Sequence, residues 1–373
     1  MTVFYFGADG SWKDVSKNGF IRRNTCILKA LVENDKVDKV FVVKKTSRYA
    51  FIRSFFKRSA NAKVQDIVFA SVLPESIAEK FGLSFINRKI NSLLIRIKCK
   101  KYDPTDLLWC YWPKGYIDAK CSGLKGKLIF DADHNIIDDP NLPLQHKVER
   151  EKLLIEIGEK ATYILSSTLS MIHWFNEKGF SNCVRLRNGV SSDRFKTNQI
   201  KSKNAAFTVG YCGTLSKWID YDLFEQLVQR NQTWDFVIIG TPYLTTDWEK
   251  LKAYKNVHFL GRKTESEVAE ILPTFDVAIN LYLHHTALDV DSMKLYEYIA
   301  AGVPVVSTPF HNNLKTDFSN LISIGNNIAE IENLIEKSKS LGTNTEYHTT
   351  KNFFLTESSW NKRVNTFIDA IGQ

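Results

Sequence analysis

Short apolar runs, rich in β-branched and aromatic side chains, recur along this chain between segments with helical spacing. In the first half the strand-like runs begin at Val3, Lys39, Val64, Leu107, Lys127 and Ala161. Between most of them, apolar residues fall three and four apart, from Phe20 to Val32, in part of Glu75 to Ile97, from Leu144 to Glu159 and from Leu169 to Lys178. That spacing predicts amphipathic helices, and strands alternating with helices predict a parallel sheet covered on both faces. From Asn188 to Ala205 the pattern gives way to polar residues. A second alternating set follows, with strand-like runs beginning at Phe207, Phe236, Val257, Asp276, Val303 and Leu321. The segment from Ser359 to Ile371 has the spacing of a last amphipathic helix.

The expected class is α/β, with two Rossmann-like doubly wound domains. Residues 1–190 form the first domain, 191–205 a linker, 206–345 the second domain and 346–373 a helical tail. A length of 373 residues suits two such cores. Ligands of doubly wound sheets collect at the carboxyl ends of the strands, so the cleft between the domains is the expected site.

Composition narrows the picture little until the charge is divided. The net charge is +9. Residues 1–190 hold 32 Lys+Arg against 20 Asp+Glu, which leaves 18 against 21 for residues 191–373. The first half is therefore the basic one. From Val40 to Gln65 there is no acid, and Arg48, Arg53, Lys57 and Arg58 alternate with aromatic residues including Phe55 and Phe56. From Lys80 to Tyr102 there are again seven basic residues and no acid. Such segments are expected to dock on an anionic membrane surface, with solvated helix faces as the plain alternative. No nucleic-acid-reading motif accompanies the charge. The six cysteines show no paired metal spacing and are expected to be reduced thiols of a cytosolic protein. No apolar run is long enough to span a bilayer, and the chain begins in a strand-like run without the marks of a signal peptide.

Candidate chemistry concentrates in Asp289-Val-Asp-Ser-Met-Lys-Leu-Tyr-Glu297, a loop leading into a helix near Ser292. The first N–H groups of a helix lack internal partners and carry partial positive charge, which suits a phosphate. Lys294 adds a full positive charge on the first turn. Glu297 follows on the same helical face with acceptors suited to sugar hydroxyls. Val209-Gly-Tyr-Cys-Gly213-Thr-Leu-Ser-Lys217 reads as a strand, a glycine turn and a polar loop. There Gly213 would allow close backbone approach, and Thr214 and Lys217 would add donors. The strand Lys127-Leu-Ile-Phe-Asp131-Ala-Asp133 ends in a D-x-D triplet, open to two readings: ligands of a divalent ion, or acids capping the next turn.

The run Lys294-Leu-Tyr-Glu297-Tyr-Ile-Ala-Ala-Gly-Val-Pro-Val-Val-Ser-Thr308 resembles the donor-site signature of GT-B glycosyltransferases. Gly210 to Asp220 resembles the opening of their second domain. Arg187-Asn-Gly-Val190 with Asp193-Arg-Phe195 resembles their interdomain junction. The likeness is to bacterial cell-surface polysaccharide transferases of the teichuronic-acid and xanthan-glucuronosyl types. It implies a GT-B fold whose two Rossmann-like domains face each other across a cleft. It also implies a UDP-sugar donor, with GDP-sugar as an alternative, and a glycan or lipid-linked acceptor. It implies that no metal or other cofactor is required. The expected location is cytoplasmic, peripheral on the inner face of the bacterial inner membrane.

By the same resemblance, Glu297 binds the nucleotide ribose, while backbone at Met293, Lys294 and Leu295, with the Lys294 ammonium, holds the diphosphate. Asp289 begins a D-x7-E pair where many retaining relatives carry E-x7-E. Thr214 stands where those relatives often carry a basic residue, so Lys217 is the candidate replacement charge. Asp133 is the candidate general base of an inverting transfer, with Asp131 close behind. The loop from Ala8 to Gly19 is expected to border the acceptor side of the cleft, as a flexible acceptor-binding loop or as an inert connection. Two other readings remain open: a sugar-nucleotide epimerase of the same shape, and a non-catalytic nucleotide-sugar-binding partner of a membrane transferase.

Overall fold

The computed structural model describes all residues except 47–62, 71–77, 79, 100–101, 135, 138–142, 196–205, 284–288, 312, 342–343 and 373. The chain divides into two compact units, residues 1–187 with 363–373, and residues 188–362. The first unit therefore takes back the end of the tail helix.

In the first unit β1 (Thr2–Phe6) is followed by α1 (Trp12–Asn18), α2 (Arg23–Glu33), β2 (Lys39–Lys45) and β3 (Val64–Phe69). Then come α3 (Ser84–Cys99), β4 (Leu107–Tyr111), α4 (Trp112–Ser122), β5 (Lys127–Asp131), α5 (Leu144–Lys160), β6 (Tyr163–Ser166), α6 (Leu169–Glu177) and β7 (Cys183–Arg185). The seven strands are parallel in the order β3-β2-β1-β4-β5-β6-β7. Val3 to Phe6 are wholly buried, as expected of a strand with helices on both faces. Phe4 stacks on Phe41, and Phe130 meets Phe175 edge to face within the same core. The strand order reverses between β1 and β4, and that switch point is where ligands of such sheets gather.

Two segments differ from expectation. The stretch expected as a flexible loop contains α1, which Ser11 starts: its hydroxyl accepts the Asp14 N–H, and the Asp14 carboxylate accepts the Ser11 N–H at 3.1 Å. Helix α4, which no apolar spacing announced, begins at the last residue of an expected strand, where Trp112 takes a left-handed φ of 61° and Pro113 sits at the first turn.

In the second unit β8 (Thr208–Cys212), β9 (Leu215–Ser216), α7 (Tyr221–Arg230), β10 (Asp235–Ile239), β11 (Pro242–Tyr243), β12 (Val257–Gly261) and α8 (Glu265–Ile271) come first. They are followed by β13 (Val277–Asn280), α9 (Met293–Ala300), β14 (Val305–Ser307), α10 (Leu314–Asp317), β15 (Ile322–Ile324), α11 (Ile328–Ser338) and α12 (Thr345–Glu357). The main sheet is parallel in the order β12-β10-β8-β13-β14-β15, and β9 pairs with β11 alone. Side chains on its two faces form separate cores, one around Tyr211, Phe236 and Ile238, the other around Ile239, Leu295 and Ile299. The last helix, α13 (Trp360–Ile371), carries Phe367, which packs on Trp109 and Tyr163 of the first unit's sheet.

At Gly210 a Cβ would lie 1.9 Å from Phe275 Cδ2, so the missing side chain is what lets Phe275 cover β8. Gly210→Ala should lower stability by about 1–3 kcal/mol as the core shifts to admit a methyl group. Urea unfolding measures this; an unchanged midpoint would mean that Phe275 moves aside freely.

Candidate functional site

The switch point of the second sheet lies between β8 and β13, and the side chains gathered there are those of a charged anion cradle. Strand β8 ends in Cys212 and turns at Gly213, whose φ of 157° and crowded surroundings exclude a side chain. A Cβ on Gly213 would sit 2.9 Å from Lys294 Cε. One strand over, a Cβ on Gly240 would lie 1.8 Å from the Gly213 carbonyl oxygen, so the two glycines allow backbone to meet backbone. Tyr211 Oη donates to the Thr214 carbonyl at 2.8 Å and braces the turn.

Helix α9 enters this turn at its N-terminus. Ser292 is its N-cap and makes no side-chain cap bond, so no side chain of its own closes off the first-turn amides of Met293 and Lys294, while the Leu295 N–H donates to the Ser292 carbonyl at 3.2 Å. Its entry is fixed by Asp291. That buried carboxylate accepts the Asn188 N–H at 2.6 Å and the Tyr296 hydroxyl at 2.8 Å, while Asn188 Nδ2 donates to the Asp291 carbonyl at 2.5 Å. One turn on, Tyr298 Oη accepts the Cys212 N–H at 2.8 Å and ties α9 to the end of β8.

Lys294 is held between two tyrosines. Its Nζ donates to Tyr211 Oη at 3.0 Å and Tyr282 Oη at 2.9 Å, and lies 4.6 and 4.5 Å from the centres of the same rings. Burial lowers the pKa of this ammonium, but the two phenols outweigh it and hold the value above that of an ordinary lysine. An ammonium has three donors, and the described residues take two. The third is available to an anion at the helix N-terminus.

Glu297 lies one turn along α9 and is half-buried. One of its oxygens is bound by Arg194, which also donates to Glu265 at 2.7 Å. Arg194 thus fixes the rotamer of Glu297 and leaves Oε2 without a partner among the described residues. Lys217 extends over the ring of Trp218, 4.9 Å from its centre, and Thr214 is exposed. Asp289 is half-buried in the bend before Ser292. Gly213, Thr214, Met293, Lys294, Leu295 and Glu297 therefore share one end of the sheet. Tyr211, Tyr282 and Arg194 belong with them and were not among the sequence candidates. Arg194 stood inside a motif, whereas nothing local marks the two tyrosines as a lysine cage.

The switch point of the first sheet carries a second constellation. Asp131 ends β5, is wholly buried and accepts Arg23 Nε at 3.0 Å, with Arg23 Nη2 also 3.0 Å away. Asp133 has a left-handed φ of 61°, uncommon for a residue with a side chain. Its carbonyl holds it there by accepting the Ser167 N–H at 2.6 Å and the hydroxyls of Ser167 and Ser166 at 2.7 and 2.9 Å. Its carboxylate accepts the Tyr111 hydroxyl at 3.0 Å and lies 3.4 Å from His134 Nδ1 and 3.7 Å from Arg23 Nε. Burial raises the pKa of this carboxyl, but His134, Arg23 and Tyr111 together outweigh it and bring it to about 2. Both acids of the D-x-D triplet thus already face a cation. Arg48, Arg53, Phe55, Phe56, Lys57 and Arg58 lie outside the described residues.

The chain is similar to known proteins in sequence and in fold. Residues 206–337 match the family described as Glycosyl transferases group 1. They form a group 1 glycosyltransferase domain. A putative teichuronic acid biosynthesis glycosyltransferase, TuaH of Bacillus subtilis, is 25% identical over 132 residues, a match spanning 33% of this chain and 33% of that protein. Two solved structures resemble the whole chain. Anabaena Alr3699/HepE in complex with UDP and glucose has a TM-score of 0.66 at 14% identity, covering 100% of this chain and 99% of that one. An α,α-trehalose-phosphate synthase (UDP-forming) from Burkholderia vietnamiensis has a TM-score of 0.67 at 13% identity, covering 100% and 98%. At these identities the likeness is one of fold, and the fold around the glycosyltransferase domain is GT-B.

Proposed function

We propose that this chain transfers a sugar from a UDP-sugar to a glycan or lipid-linked acceptor in bacterial surface polysaccharide synthesis. The observation that carries the reading is Lys294, caged by Tyr211 and Tyr282 at an uncapped helix N-terminus with one N–H left for an anion. A diphosphate leaving group gains charge as its bond to the anomeric carbon breaks, and that cation and those amides meet it without reorganising. Glu297, set by Arg194, accepts from the ribose hydroxyls. Lys217 and Thr214 border the same turn and serve the phosphates, and Asp289 serves the sugar.

In the first unit Asp133 takes the proton of the acceptor hydroxyl as that oxygen bonds to the anomeric carbon, which gives inverted configuration. No metal is needed in this scheme, because Lys294 meets the diphosphate and Arg23 already meets Asp131 and Asp133. The surface-polysaccharide role draws support from the teichuronic-acid relative, and UDP from the neighbours that bind it. The protein works in the cytoplasm, peripheral on the inner face of the membrane; among the described residues no helix is long and apolar enough to cross it.

Donor binding is tested by thermal shift of the purified chain with UDP, UDP-glucose and GDP, each with and without EDTA. At a UDP concentration of about 100 Kd the gain is about 2.7 kcal/mol, a rise of a few degrees in Tm. The uridine ligands should give that rise in EDTA as well. A rise that EDTA abolishes would sink the metal-free reading, and no rise with any nucleotide would sink the donor site.

A further inference from the structure

Helix α3 turns polar residues inward and leaves three large apolar ones outside. Its buried residues are Asn87, Asn91, Ser92, Ile95 and Cys99. Three of its large apolar side chains point outward, Phe85, Leu93 and Ile97, exposed by 47%, 60% and 66%, while Ile95 is buried. The inverted pattern has a local cause. A Cβ on Gly123, in the turn after α4, would lie 2.3 Å from the Arg88 carbonyl oxygen, so α3 meets that turn backbone to backbone. Asn91 Nδ2 donates to the Cys121 carbonyl at 3.0 Å across the same contact. Small polar residues suit so close an approach, and the bulky ones are left outside.

The outer face is also strongly cationic. Between α3, α4 and α5 runs a groove of about 800 Å³, lined by Arg88, Lys89, Arg96, Lys120, Lys125 and Lys160. The one acid in its lining, Glu156, is already bound by Lys120 at 2.5 Å and Tyr116 at 2.7 Å. Along α3 the exposed residues run Phe85, Lys89, Leu93 and Ile97, four apart, so apolar side chains and a cation share one stripe.

We propose that this face of α3 docks the protein on an anionic lipid bilayer, with Phe85, Leu93 and Ile97 entering the acyl boundary and the lysines and arginines meeting lipid phosphates. Apolar residues interleaved with cations on a helix without acids match an interface that is oily beneath and negative at its surface. A free phosphate or a nucleic acid would engage the cations but leave Leu93 and Ile97 in water. The inference builds on the peripheral location proposed above and names the surface responsible.

The test is sedimentation of the full chain with vesicles of phosphatidylcholine, with or without phosphatidylglycerol. Wild type should bind the anionic vesicles, release in high salt and ignore pure phosphatidylcholine. The double variants Leu93→Glu/Ile97→Glu and Lys89→Gln/Arg96→Gln should each weaken binding by about tenfold or more. Both should keep the thermal shift given by UDP, which reports the donor site separately and shows that the variants fold. The proposal fails if wild type stays in the supernatant or if either variant binds as wild type does. It fails also if Leu93→Glu/Ile97→Glu keeps full affinity for a single-stranded oligonucleotide that wild type prefers to vesicles, which would make nucleic acid the partner.

Discussion

Lys294→Ala should lower kcat/KM for sugar transfer by about 10³-fold, close to 4 kcal/mol of transition-state stabilisation, with most of the loss in kcat. The diphosphate carries more charge as it leaves than it does in the bound donor, so a fixed cation favours the transition state over the ground state. Lys294 is fixed by its two tyrosine partners, and the missing side chain at Gly213 is what makes room for it. Removing it should cost little stability, because Tyr211 keeps its bond to the Thr214 carbonyl. Tyr211→Phe removes one restraint and leaves the charge, so its loss should be nearer tenfold. Lys294→Arg should not rescue, since a planar guanidinium does not fit between the two rings over Gly213. Steady-state rates with UDP-sugar decide the matter. A raised KM with unchanged kcat would mean that Lys294 only binds the donor.

The layout of both units was legible because buried parallel strands are nearly continuous apolar runs. Val3 to Phe6 and Phe236 to Ile239 announce themselves, and the polar stretch after Asn188 separates the two sets. What escaped were elements too short or too mixed to carry a period. Strand β7 has three residues, and α4 contains Pro113 and Gly115, each a poor helix former read out of context. Helix α1 was written in the Ser11–Asp14 capping box rather than in hydrophobicity.

The candidate site divided in the same way. Lys294 and Glu297 lie on one short helix and could be read together from spacing. Tyr211 lies on β8 and Tyr282 two residues past the end of β13, and they meet Lys294 only when those two strands become neighbours. Arg194 was visible in its motif, but its bond to Glu297 is a tertiary fact. The inversion of α3 could not be read at all. Its spacing is that of any amphipathic helix, and only the close contact at Gly123 decides which face turns inward.

Arg23→Met should destabilise the protein by about 3–5 kcal/mol at pH 7, measured by urea unfolding. The substitution leaves Asp131 fully buried without its cation and beside Asp133, whose N–H it accepts at 3.1 Å. A second change, Asp131→Asn, should restore much of the loss, because it removes the stranded charge rather than the cation alone. The pH dependence supplies an independent sign. In the wild type the Asp133 carboxyl is held at about 2, below its unfolded value near 3.9. It therefore contributes stability, about 2 kcal/mol, that is present above the unfolded pKa and lost as pH falls towards 2. In the variant, burial without Arg23 raises both carboxyls, so the folded state gains protons and the destabilisation grows as pH rises past the unfolded value. Both effects act in one direction, and the stability gap between wild type and Arg23→Met should narrow as pH is lowered from 7 towards 4. A gap that stays constant over that range would mean that Arg23 acts by packing alone.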